Sequence, residues 1–307
     1  MSRVSVVIPA HNAAAFIAEA LDSVFAQDLT DPEVVVVDDG SSDRTAQVVR
    51  GYGRGVRLLT QPASGSARAR NAGIAATTAE LIAFLDADDL WVPEKSALQI
   101  PVLERDETIA LVFSDMIAFD EAGVAPRTYF RERGFRGRCA PSSIFLHDMV
   151  STPTVVLRRS CLATVGLFDD SLPIGQDTDL WFRIALAFPF TFVDRPLVRR
   201  RLHAVNVTRN ARLLARCTVE VWERYLERCV EREPEIKDRL IEDFARKHWN
   251  FLFEEGCSLR REGRTHDARR LLGQAIRLRP LRFRSYAFYL ASLLGVSGSL
   301  SGTGATR

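Results

Sequence analysis

Only five of 307 residues are cysteine, and Cys139, Cys161, Cys217, Cys229 and Cys257 are scattered, odd in number and without C-x-x-C spacing. That excludes a disulfide framework and a zinc site, and the thiols read as reduced core or surface residues. Long apolar runs are missing too: no stretch approaches the ~18 residues that a membrane span requires. Met1-Ser2-Arg3 leads straight into an apolar segment without a signal-peptide pattern, so a cytoplasmic location is expected. Nor is one sign of charge in excess. Lys and Arg number 41 against 39 Asp and Glu, and a net charge of +2 removes the global case for nucleic acid. A dinucleotide fingerprint is absent as well: Gly51-Tyr52-Gly53-Arg54-Gly55 precedes a strand and lacks the third spacing, so it reads as a turn. What remains is 47% hydrophobic, enough for a core in one large domain or two smaller ones.

Short apolar runs alternate with helical spacing through the first third. Strands are expected at 4–8, 34–37, 56–59 and 81–85, and helices at 14–26, 44–52 and 66–76, with Asp43 capping the second. This order predicts an α/β fold: a mostly parallel, Rossmann-like sheet with right-handed crossovers, covered by helices on both faces. Residues 93–104 read as a helix, 110–119 as a strand, 121–142 as irregular, 155–157 as a strand and 177–187 as a helix. Strand-like runs at 190–193 and 197–198 follow, with arginines crowding 195–200. Helices are expected at 213–229, 236–255, 265–278 and 284–294, before a Gly/Ser/Thr-rich tail, 295–307, expected to be disordered. Ala268, Leu271, Leu272, Ala275, Ile276, Leu278 and Pro280 resemble half of a tetratricopeptide unit, but one partial copy makes no array and a packed helical cap is the simpler reading. Arg277, Arg279, Arg282 and Arg284 lie beside Phe283, Tyr286, Phe288 and Tyr289 around the start of the last helix, a composition that suits peripheral contact with an anionic membrane or a plain buried helix.

The chemistry sits at strand ends. The run 81–85 stops in Asp86-Ala87-Asp88-Asp89. Carboxylates so crowded repel one another unless a cation sits among them, and hard oxygen ligands suit Mg²⁺ or Mn²⁺ shared with substrate phosphates. Parallel topology brings Pro9-Ala10-His11-Asn12 and Asp38-Asp39-Gly40-Ser41-Ser42-Asp43 to the same edge, where open α/β sheets bind ligands. A carboxylate at Asp39 can accept from a pyrimidine imide N–H. Ser64-Gly65-Ser66 enters a helix carrying Arg68, Arg70 and Asn71; the arginines suit a base or phosphate, and Asn71 implies a polar contact. Gly175-Gln176-Asp177-Thr178-Asp179 also enters a helix, and reads as an N-cap at Asp177, a general base, or both. Asn206-Val207-Thr208 matches a glycosylation sequon that no secretion signal supports.

The ordered set Val-Val-Ile-Pro-Ala-His-Asn, Val-Val-Asp-Asp-Gly-Ser-Ser-Asp, Ala-Arg-Asn-Ala-Gly-Ile, Ile-Ala-Phe-Leu-Asp-Ala-Asp-Asp, Val-Gly-Leu-Phe-Asp, Gln-Asp-Thr-Asp-Leu-Trp-Phe-Arg and Arg-Leu-His-Ala-Val-Asn-Val-Thr resembles glycosyltransferase family 2 of the GT-A fold, over about residues 3–208. The resemblance implies a catalytic domain at 1–208, with a nucleotide-binding half at 1–90 and an acceptor half at 91–208, and leaves 209–294 as a helical extension. It implies a nucleotide-sugar donor, UDP favoured, and inverting transfer to an unidentified hydroxyl acceptor, as in cell-surface polysaccharide or glycolipid assembly. Pro9, Asn12, Asp39 and Arg70 would serve the nucleoside, and Asp86 the ribose or metal. Asp88 would be the metal ligand of the D-x-D motif, with Asp86 and His203 as further candidates. Asp177 would be the base, Asp179, Trp181 and Arg183 its supporting helix, and Arg201 and His203 the diphosphate side. One departure stands out: the family usually has Glu before the base, and here Gln176 removes a negative charge or marks a changed acceptor geometry.

Rival readings fit less well. A haloacid-dehalogenase-type phosphatase puts its Asp-x-Asp on an early strand, a nucleotidyltransferase has a Gly-rich loop after the first strand, and a processive synthase has membrane spans and Gln-x-x-Arg-Trp. The serious alternative is a non-catalytic nucleotide-sugar or partner-binding protein on the same fold, which donor hydrolysis separates from an enzyme.

Overall fold

The apolar runs of the first third become strands because β-branched residues suit a pleated surface buried on both sides. The computed structural model describes residues 3–53, 55–120, 123–125, 127–137, 139–203 and 211–293. It begins β1 (Val4–Ala10), α1 (Ile17–Phe25), β2 (Glu33–Asp39), α2 (Thr45–Gly51), β3 (Val56–Gln61), α3 (Ser66–Ala75) and β4 (Leu81–Phe84). There follow β5 (Leu90–Trp91), α4 (Lys95–Arg105), β6 (Leu111–Asp120), β7 (Gly123–Val124), α5 (Tyr129–Arg133) and α6 (Pro141–His147). A 3₁₀ turn at Thr152–Thr154 leads to β8 (Val156–Arg158), α7 (Arg159–Val165), α8 (Gln176–Ala187) and β9 (Phe190–Arg201). Four helices end the described chain: α9 (Ala211–Arg232), α10 (Lys237–Arg261), α11 (Thr265–Leu278) and α12 (Phe283–Leu293). Two compact units result, Met1–Arg209 and Asn210–Arg307.

The first unit is one sheet in the order β3-β2-β1-β4-β8-β6-β9-β5, with β7 on β6. β1 pairs in parallel with β2 and β4, β2 with β3, and β6 with β9. β8 runs antiparallel to both β4 and β6, and β5 antiparallel to β9. Four of these strand pairs are parallel and four, counting β7 on β6, antiparallel; the parallel ladders are the longer, so most paired residues lie in parallel register. Register sets Ala10 beside Asp38 and Asp39 beside Gln61, so the polar ends of β1, β2 and β3 share one edge. Helix α3 lies directly on this sheet at Gly73, where a Cβ would collide with Val7 and press on Val37.

The second half departs from the sequence reading in four places. The runs at 190–193 and 197–198 join into one strand, β9, irregular in register where Asp115 faces Pro196; proline lacks a ladder N–H and is tolerated at such a bulge. The stretch 121–142, expected to be irregular, contains β7, α5 and the start of α6. A distant acid and aromatic burial order it: Asp115 Oδ1 accepts from the Phe130 amide at 2.9 Å, and Phe130 and Phe135 pack on Phe113 and Phe192. β5 is two residues long and exists through its pairing with β9, so no local pattern announces it. α7 is likewise absent from the sequence reading; Arg159 anchors its start to the Ala79 and Ile74 carbonyls at 2.7 and 2.9 Å.

In the second unit, Trp249, Leu252, Phe253, Cys257, Leu272 and Ala275 form a core, as a packed helical cap requires. Gly256 lets α10 and α11 close up, since a Cβ there would lie 2.7 Å from Leu272 Cγ. Arg279 pairs with Glu242, while Arg282 and Arg284 lie over the Trp249 and Phe253 rings. Leu281, Phe283, Leu290 and Leu293 are exposed. Among the described residues no helix is long and apolar enough to cross a membrane. The sequon at Asn206 and the tail 295–307 lie outside the described residues.

Candidate active site

At the shared edge, Asp39 is buried, and its carboxylate accepts three hydrogen bonds: from Gln61 Nε2 at 2.7 Å, the Ser64 amide at 2.8 Å and the Gly65 amide at 2.8 Å. A carboxylate has about four lone-pair sites, so this one braces the 61–65 loop and retains capacity for one further donor. Gly40 is required beneath it: its φ is +72°, and a Cβ would strike the Ala63 backbone. Asn12, at φ +50°, ties the loop after β1 to that after β2; its Oδ1 accepts from the Ser42 and Asp43 amides at 2.8 and 3.3 Å. Half-buried Pro9 is set beside Val37 by register. The N-cap position of α2 is Arg44, not Asp43; Asp43, one residue earlier, accepts from the Thr45 amide at 2.9 Å at the helix start.

The acidic turn after β4 is braced from two sides. Arg70, buried on α3, reaches Asp86 Oδ1 at 2.7 Å and lies over the Phe168 ring. Arg68 instead pairs with Asp170 at 2.6 Å, and Asn71 exchanges hydrogen bonds with the Phe168 backbone at 2.9 and 3.1 Å. From β9, Arg201 donates its amide to Asp89 at 2.9 Å, its Nε to the Asp88 carbonyl at 3.1 Å and its Nη2 to Glu19 at 2.7 Å. His203 Nε2 lies 2.8 Å from Asp88 Oδ2, and its ring stacks on Phe16. Burial, then the charges of Asp86 and Asp88, hold buried Asp89 well above the usual carboxylate range, although the Arg201 amide opposes the shift.

That crowding is what a divalent cation would relieve, and the hard oxygens suit Mg²⁺ or Mn²⁺. The fit is to an ion with few protein ligands, because among the described residues no three His, Cys, Asp or Glu side chains converge on one point.

Asp177 is not an N-cap. Gly175, at φ +86°, precedes α8, and Asp177 lies inside the first turn, where Oδ1 accepts from the Thr178 amide at 2.8 Å and Oδ2 from Thr152 Oγ1 at 3.0 Å. Gln176 is buried and donates from Nε2 to Ser66 Oγ at 2.8 Å, joining the start of α8 to that of α3. Its Oε1 has no hydrogen-bond partner among the described residues. The other α8 residues turn inward. Asp179 is buried and paired with Arg183 at 2.6 Å, which also donates to the Val165 and Leu167 carbonyls, and Trp181 packs near Phe168 and Phe84.

The predicted residues thus fall into linked groups. Asp39 connects through Gly65 and Ser66 to Gln176, beside Asp177; Asp86 joins Arg70; Asp88 joins Arg201 and His203. Sequence reading missed Thr152, although the hydroxyl- and proline-rich Ser151-Thr152-Pro153-Thr154 was a signal. The adjacent Pro153 carbonyl accepts from Trp91 Nε1 at 3.0 Å, and Lys95 Nζ lies 4.3 Å from the Trp91 ring centroid. Lys95 is fully buried, and burial lowers it to about 7, a perturbation that no local pattern revealed.

Residues 5–166, just over half of the chain, match the model of glycosyl transferase family 2. An uncharacterised glycosyltransferase of Rickettsia prowazekii is 28% identical over 233 residues, 75% of this chain and 73% of that one. Residues 1–349 of S. aureus TarS, solved with UDP-GlcNAc, superpose with a TM-score of 0.69 at 20% identity, covering 96% of this chain and 88% of that one. The mannosyltransferase PcManGT of Pyrobaculum calidifontis, solved with GDP-Man and Mn²⁺, gives 0.57 at 20% identity over 96% and 87%. At such identity the two structures speak to the fold alone, and that fold is GT-A. The motifs at the strand ends and the match across more than half of the sequence agree: the chain belongs to glycosyl transferase family 2.

Proposed function

We propose that the protein transfers a sugar from a UDP-sugar to an acceptor hydroxyl with inversion at the anomeric carbon, in the assembly of a cell-surface polysaccharide or glycolipid. The observation that carries this reading is the Gln176–Ser66 hydrogen bond, 2.8 Å long, which sets the turn of Asp177 against the helix start whose preceding amides hold Asp39. A base on one side of that tie and a nucleoside carboxylate on the other is what donor and acceptor meeting in one cleft require.

Asp177 takes the acceptor proton as the hydroxyl oxygen attacks C1, and the nucleoside diphosphate leaves from the opposite face. Thr152 orients the carboxylate by donating to Oδ2. Asp39 accepts the imide N–H of the base, with Pro9 and Asn12 shaping the loop beside it. Arg201 and His203 face the leaving diphosphate from the end of β9. Asp88, with Asp86 or His203 beside it, would hold Mg²⁺ or Mn²⁺, which supplies neutralisation of diphosphate charge. The exposed Leu281, Phe283, Leu290 and Leu293 support a peripheral membrane contact at the last helix.

A thermal-shift panel of UDP-, dTDP- and GDP-sugars with and without Mn²⁺ tests the donor. UDP-sugars with Mn²⁺ should raise the melting temperature most, because a ligand that binds only the folded state stabilises it. No shift with any nucleotide sugar would overturn the reading, and binding without donor hydrolysis would leave a non-catalytic binding protein.

A further inference from the structure

The segment 127–138 carries Arg127, Arg131, Arg133, Arg136 and Arg138 against one acid, Glu132. One of these arginines is spent within the fold: Arg133 pairs with Asp148 at 2.8 Å and lies over the Tyr129 ring. Three others, Arg127, Arg131 and Arg136, line a cavity of about 520 Å³ with Gly134 and Phe135. None of the three has an ion-pair partner among the described residues. Exposed arginines usually fan out into water. Here the fold holds them around a concavity, because Phe135 is anchored among Phe113, Phe130 and Phe192 and Gly134 turns the chain at φ +66°. Like charges so gathered create a field that an anion relieves.

The donor diphosphate does not account for this cavity. Its candidate partners, Arg201 and His203, are bound to Asp88 in the acidic turn after β4 and to Glu19 on α1. The arginine segment instead belongs to the neighbourhood of the candidate base: Arg133 holds Asp148 at 2.8 Å, and four residues further along the same stretch Thr152 donates to Asp177 Oδ2 at 3.0 Å.

We infer that this cavity is an acceptor subsite for a phosphate group, so that the acceptor is a phosphate-bearing hydroxyl compound; this rests on the sugar-transfer reading above. Guanidinium groups bind phosphate oxygens in bidentate fashion, and three around one hollow would seat a phosphate beside the hydroxyl presented to Asp177. The same chemistry occurs in a polyol-phosphate chain and in a lipid-linked diphosphate.

Calorimetry on the full chain, with UDP and Mn²⁺ saturating so that the donor side is filled, tests this with glycerol 3-phosphate, farnesyl diphosphate and glycerol as probes. The wild type should bind at least one phosphate probe and not glycerol. The Arg131→Gln/Arg136→Gln pair should weaken that binding at least about tenfold, since charged hydrogen bonds are lost, while UDP affinity is unchanged. Arg127→Gln alone should weaken it less, and serves if the pair fails to fold. Tighter binding of farnesyl diphosphate supports the lipid-linked source, and tighter binding of glycerol 3-phosphate the polyol source. Saturable binding of neither probe by the wild type, or equal binding by wild type and variants, would overturn the inference. Failure of UDP itself to bind would instead overturn the donor reading.

Discussion

His203 Nε2 lies 2.8 Å from Asp88 Oδ2, a contact that spans 115 residues of sequence. Phe16 stacks on the same imidazole at 4.9 Å between centroids, and Arg201 braces the Asp88 carbonyl. Protein contacts thus hold the end of β9 against the acidic turn after β4. The fold meets the ordering cost of these groups, and a ligand arriving there is spared it.

Asp177→Asn keeps the shape of the α8 turn, because an amide oxygen can still accept from Thr178. It removes the proton acceptor. Turnover of donor, measured by sugar transfer or hydrolysis, should fall at least about a hundredfold while UDP-sugar affinity persists. Near-wild-type turnover would refute the assignment of the base.

Asp179, in the same first turn of α8, pairs with Arg183 one turn on; their side chains are 3% and 20% exposed, and this low exposure makes a lone partner costly. Arg183→Met should destabilise the protein by about 3–5 kcal/mol in urea unfolding, and Asp179→Asn combined with it should recover much of the loss. Activity per folded molecule should change far less than for Asp177→Asn. A loss of turnover without a loss of stability would move the pair into the chemistry.

Lys95 gives a pH signature. Burial lowers it to about 7, against about 10.4 for a free lysine. Between those values the folded state releases a proton that the unfolded state keeps, so this residue's contribution to stability rises with pH through that window and is lost as pH falls through about 7. Lys95→Met should therefore raise the melting temperature by several degrees near neutrality, with the gain fading as pH approaches about 10. A pH-independent difference would show that Lys95 is not a buried ammonium.

The parallel half of the sheet was legible because its signals are local: Val34, Val35, Val36 and Val37 specify a buried strand, and acids directly follow the strands that carry them. The candidate site was legible as types and order, not as bonds. Asp39 stood out, but its partners Gln61, Ser64 and Gly65 belong to the next strand and loop, and register alone brings them together. Gln176 was recognised as a departure, yet its bond to Ser66 joins residues 110 apart. α5 stayed hidden because the acid at its start, Asp115, sits in another element. Two-residue β5 carries too little sequence to show a period.

Calorimetry of UDP binding to the wild type and Asp88→Ala, each with and without Mn²⁺, puts the donor assignment to its most direct test. The wild type should bind UDP more tightly with Mn²⁺ present, and Asp88→Ala should abolish that metal-dependent gain. An unchanged UDP–Mn²⁺ affinity in Asp88→Ala would contradict a cation-assisted donor site at the acidic turn.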